Sequence, residues 1–255
     1  MKRKVSIAFV VTFLPALLLY LWKFTYSFSD WAVLWVILLA TMIFCGNWLI
    51  VTEHWRAECG IVLRPETWIS RWLTGRVGAF LSSTVLVVML VPALAWHALT
   101  MPALQAAVFL GLAFATSWLF LRLQSFFACH VLPPFDKIYA TGPSTWLIGL
   151  PFSIILFYIS WHTTTVPVEM FTASFPEAMR FGIHELPERR GWIAAILASV
   201  NAIETAKIWL VAQMREYPLA AFIFNLDIAL VGFLTARAGV VIAHFVETYY
   251  DGRTK

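Results

Sequence analysis

The chain has 255 residues, 61% of them hydrophobic and only 13% charged, where average soluble domains carry roughly 45–50% apolar and about 25% charged residues. A single soluble core of this size cannot hide so much apolar surface, and long continuous apolar runs exclude the alternating strands of a transmembrane barrel. The net charge of +4 is small and scattered, its longest run being Lys2-Arg3-Lys4, so it informs membrane topology and argues against a nucleic-acid partner. The expected fold is all-α, a polytopic transmembrane helix bundle in contact with membrane lipids.

A spanning helix needs about 20 apolar residues, and seven windows approach or reach that length. The first, Val5–Phe24, follows three basic residues but lacks a small-residue cleavage pattern, so it reads as an uncleaved span. Trp31–Val51 is the second. The connection 52–76 then sets Trp68, Ile69, Trp72 and Leu73 among Arg64, Arg71 and Arg76, the pattern of a helix lying in the interface. Val77–Trp96 and Ala103–Leu121 follow.

Trp146–Trp161 is the weakest window, since 16 residues reach only about 24 Å. A re-entrant segment there, with six full spans, is the alternative. The connection 164–190 mixes four glutamates and three prolines with Met170, Phe171, Phe175, Met179 and Phe181, which suggests short amphipathic pieces on the membrane face. Gly191–Met214 and Leu219–Phe245 complete the set. The chain thus divides into a five-span bundle (1–163), an amphipathic connection (164–190), a C-terminal helical hairpin (191–246) and a tail (247–255).

Tryptophans at the ends of these windows fit the headgroup zone. With the N-terminus cytosolic, ten Lys and Arg fall on the inner side and six on the outer side, with Lys207 and Arg237 inside spans. This suggests a bacterial inner membrane with a cytosolic N-terminus. Cys45, Cys59 and Cys129 are too few for a disulfide framework and are expected as free thiols.

The last two spans hold the most informative polar residues. Charged groups in hydrocarbon cost roughly 2.5–3.5 kcal/mol each on insertion scales, yet this hairpin carries Glu204, Lys207, Asp227 and Arg237 with Asn201 and Asn225. Counting from the turn at Arg215-Glu216 sets Glu204 and Asp227 about 17 Å deep. One lysine between two carboxylates lowers the cost of all three, either as a structural ion cluster or as a proton or cation site. Arg237 is expected near the far interface, where it snorkels.

Ala194, Ala198, Ala202 and Ala206 share one face of the sixth span, and Gly232, Ala236, Gly239 and Ala243 share one face of the seventh. Small residues at this spacing let backbones approach closely, within the bundle or against another subunit. His54, Cys59, Cys129 and His130 could bind zinc or copper, but they lack the spacing of a structural site, and His54 can instead pair with Glu58 at i+4. No catalytic or nucleotide motif stands out, and no cofactor is expected.

Three functional expectations follow. The first is a non-enzymatic membrane subunit that packs against other membrane proteins or its own copies. The second is a small ion or solute transporter using Glu204, Lys207 and Asp227. The third is an intramembrane enzyme for lipid-linked substrates, with His54, Glu58, Cys129 and His130 as its candidates.

Overall fold

A computed structural model describes residues 2–62, 76–163, 167–185, 191–214 and 218–252. The described residues form an all-α bundle, with α1 (Lys2–Tyr26), α2 (Val33–Val62), α3 (Arg76–Thr100), α4 (Ala103–Phe127), α5 (Phe135–Thr163), the short α6 (Phe175–Glu185), α7 (Trp192–Gln213) and α8 (Pro218–Gly252). Seven of these, all but α6, are long and apolar enough to cross a membrane. Most of the interfacial segment expected within 52–76, including its tryptophans, lies outside the described residues. So do the arginines at 189, 190 and 215.

The fifth helix is longer than its apolar window. α5 runs for 29 residues, about 43 Å at the α-helical rise, so it spans and need not be re-entrant. Its polar stretch stays helical because the hydroxyls are satisfied within the helix. Thr141 Oγ1 donates to Lys137 O (2.8 Å), Ser144 Oγ to Ala140 O (2.6 Å) and Thr145 Oγ1 to Thr141 O (3.0 Å). Such back-bonding hides polarity that looks like a loop in the sequence.

α8 is the axis of the bundle. Ala236, Val240, Val241 and Ala243 have no or almost no exposed surface, and the helix packs most extensively on α5, then on α4 and α2. Glycines on its neighbours make this possible. A methyl in place of the Gly46 hydrogen would lie 2.6 Å from Val241 O, and one on Gly149 would lie 3.0 Å from Ala236 Cβ. On α8 itself, Gly239 faces Ala113 O of α4, and Gly232 faces Ser153 and Leu156 of α5.

The expected C-terminal hairpin is therefore not a separate unit. α8 belongs to the bundle of the first five helices and has little contact with α7. α7 packs instead on α6, where Asn201 Nδ2 donates to Gly182 O at 2.8 Å. A side chain on Gly182 would collide with Thr205 and with the Ala202 backbone.

Both ends of α7 lie at the same end of the bundle. At its start, Gly191 abuts the Asp30 carboxylate, and Ile193 and Leu197 pack with Trp22, Tyr26, Ala32 and Ala95. Farther along, Lys207 meets Asp227, and His97, near the last turn of α3, is within electrostatic reach of both. We call this the distal end. The opposite, proximal end holds Lys4, whose Nζ donates to Leu121 O at 2.9 Å and which lies within electrostatic reach of Glu247. The start of α1 and the end of α8 thus share one side. α7 lies across the distal end while the other six long helices run alongside one another.

Candidate functional site

The expected charge cluster forms, but not at the expected depth. Lys207 Nζ donates to Asp227 Oδ2 at 2.6 Å and lies 2.7 Å from Glu204 Oε2. The side chains of Lys207, Glu204 and Asp227 are 31%, 22% and 41% exposed. Their level is that of Trp22, Ala95 and His97, the distal rim, and not 17 Å inside the bilayer. The depth estimate fails because it assumes that α7 descends antiparallel to α8. At the rim the triad acts as a clamp that fastens α7 to α8.

Asn201 is not part of this triad, because its amide is used on Gly182. Asn225 is buried at the distal rim. Arg237 also departs from expectation. Its neighbour Ala236 packs on Gly149, the midpoint of α5, so Arg237 lies level with the middle of the bundle and not at an end.

A second polar cluster, unmarked by any motif, forms at the proximal end where α2, α5 and α8 meet. His244 is wholly buried, with Nε2 3.4 Å from Glu53 Oε2, an ion-pair distance without hydrogen-bond alignment. Neither ring nitrogen of His244 has a hydrogen-bond partner among the described residues. Among the described residues, Asp136, 7% exposed, also keeps Oδ1 without a hydrogen-bond partner, as do the hydroxyls of Thr52 and Thr248.

Helix register explains this meeting. Gly46 faces Val241 with α2 and α8 parallel, so seven residues on, Glu53 comes level with residue 248. Gly149 faces Ala236 with α5 antiparallel, so thirteen residues back, Asp136 comes level with residue 249. Lys137, Asp136 and Arg56 are within electrostatic reach of Glu53, and Lys137 and Arg237 within reach of His244. Arg237, His244 and Glu53 thus mark a polar line from mid-depth to the proximal face. Sequence reading misses it because His244 and Glu53 are 191 positions apart, and each alone resembles a span-end residue.

The metal candidates do not converge. His54 Nε2 pairs with Glu58 Oε1 at 3.2 Å, Cys129 Sγ contacts Ser125 O at 3.5 Å, and His130 Nδ1 lies 2.9 Å from Phe126 O. Each is thus engaged within its own helix or the turn that follows it. The Cys59 side chain lies outside the described residues. Among the described residues no group of three His, Cys, Asp or Glu is arranged to hold a metal. Cys45 and Cys129 are free thiols.

The small-residue faces go to intramolecular contacts where they are buried. Ala202 packs on Gly182, while Gly232, Ala236 and Gly239 pack on α5 and α4, and Ala243 is wholly buried. Ala194, Ala198 and Ala206 are half-buried. The fold and its apolar helices define a multi-pass α-helical membrane protein. No family model matches this chain. No curated relative and no solved structure matches it either.

Proposed function

We propose that the chain is a non-enzymatic subunit of a bacterial inner-membrane assembly, with its N-terminus cytosolic, which packs against other membrane proteins or its own copies. One observation carries this reading. α8 fills the centre of the bundle with backbone-close contacts on three sides, so its middle is closely packed and the apolar surface left for partners faces outward. α7 supports it further, because Ile196, Ile203 and Leu210 stand 55%, 58% and 48% exposed beside Ser199. This apolar stripe lies on a helix across the bundle end, where a neighbouring subunit can cover it.

The test is native mass measurement after mild detergent extraction, with Ile196→Glu/Ile203→Glu as the variant. The expected result is a particle of fixed stoichiometry, heavier than one chain, that the double variant dissociates while its helicity stays intact. A strictly monomeric, partnerless wild-type particle overturns the proposal.

The transporter reading loses support at Glu204, Lys207 and Asp227, whose rim position gives them no depth to exploit. It gains some from the line Arg237, His244 and Glu53, since intramembrane ionisable groups commonly mark ion pathways. Proton flux in liposomes that vanishes in Arg237→Gln would favour it. The enzyme reading draws no support from His54, Cys129 or His130, all held by local contacts.

A further inference from the structure

We propose that the α2–α5–α8 junction is a proton-binding site, a hydrated polar pocket in which Glu53 and His244 hold an exchangeable proton reached from the proximal side. His244, Asp136 and Thr52, all buried, and the inaccessible Thr248 hydroxyl, from three helices, leave hydrogen-bonding capacity unused among the described residues at one level of the bundle. Buried polar groups in native proteins are nearly always paired, with protein or with ordered water. A polar site with several such partners holds water, and water carries the proton.

Access comes through Glu53. Its side chain is 31% exposed while His244 is wholly buried, so the carboxylate links the imidazole to the surface at 3.4 Å. Toward the distal end, Ile228, Val231 and Ala236 of α8 are buried and apolar.

Imidazole is the side chain whose charge changes nearest neutral pH, and its neighbours carry both signs. Glu53 of α2 lies 3.4 Å from it, Lys137 of α5 and Arg237 of α8 are within electrostatic reach of it, and Arg56 of α2 and Asp136 of α5 are within reach of Glu53. Glu247 on α8, Lys4 on α1 and Arg122 on α4 stand at the same end, as does Arg76, which begins α3.

The experiment is ¹⁵N NMR of histidine-labelled protein in lipid bilayers across pH 4–9, with water-edited spectra. His244→Gln assigns the signal. The expected result is an imidazole in contact with water that changes protonation over this range. Its midpoint should move by about one pH unit or more in Glu53→Gln and stay fixed in Glu58→Gln. A His244 signal at one chemical shift throughout, or one without water contact, overturns the proposal. So does a midpoint indifferent to Glu53→Gln. Because Glu53→Gln and Glu58→Gln keep His244, the comparison stands even if His244→Gln does not fold.

Discussion

Two glycine-to-alanine substitutions test the packing of the bundle axis. At Gly46 the new methyl would meet Val241 O at 2.6 Å and Val241 Cγ1 at 2.7 Å, with the carbonyl carbon at 3.1 Å. The carbonyl belongs to the central helix and cannot swing aside as a side chain can. Overpacking of this kind costs about 1–3 kcal/mol, and the helix-propensity gain of alanine over glycine returns at most about 1 kcal/mol. Gly46→Ala should therefore destabilise the protein by about 1–2 kcal/mol. At Gly142 of α5, a methyl meets nothing within 4 Å, so Gly142→Ala carries the propensity gain alone and should stabilise by up to about 1 kcal/mol. Unfolding in mixed micelles, followed by circular dichroism, should separate the two variants by roughly 1–3 kcal/mol, the overpacking cost itself. If Gly46→Ala is as stable as Gly142→Ala, α2 and α8 do not approach as closely as described, and the register that joins Glu53 to His244 is wrong.

The remaining predictions concern the two ends of the molecule. Lys207→Met should cost about 1 kcal/mol in thermal unfolding at low salt, because the half-exposed triad is worth no more than a surface network, and the loss should shrink at high salt. Glu177 reaches back from the first turn of α6 to Ser174, whose backbone N–H and hydroxyl both donate to Glu177 Oε2 at 2.7 Å, which holds the Glu177 carboxyl below its ordinary range. A depressed carboxyl stabilises the fold above its unfolded value and loses that effect as pH falls through the folded one. The protection factors of amides 175–185, taken relative to an unstructured chain at the same pH, should therefore fall on acidification, and Glu177→Gln should remove that fall; identical profiles would refute the Ser174–Glu177 contact. An impermeant thiol reagent on the exposed Cys129 and a tag after Lys255 should report the same side of the membrane, because α4 and α8 both end proximally. Opposite sides would mean that α7 crosses.

Composition and run length determine that this chain lives in lipid as helices, because in hydrocarbon only structures that satisfy their own backbone can span. The alanine and glycine spacing of α7 and α8 likewise announces close helix contacts, since i and i+4 share a face whatever lies opposite. The same local logic finds the His54–Glu58 pair and the union of Glu204, Lys207 and Asp227. Depth is another matter. Nothing in Trp192–Gln213 distinguishes a helix that descends from one laid across the distal rim; its contacts with Trp22, Ala95 and Gly182 decide that and move the triad to the rim, while the packing of α8 on α5 sets Arg237 at mid-depth. His244, Glu53 and Asp136 come together only through the registers of α2 and α5 on α8, which glycine-sized gaps at 46 and 149 determine in three dimensions. A side chain's chemistry is written at its own position, but its surroundings depend on packing between helices far apart in the chain.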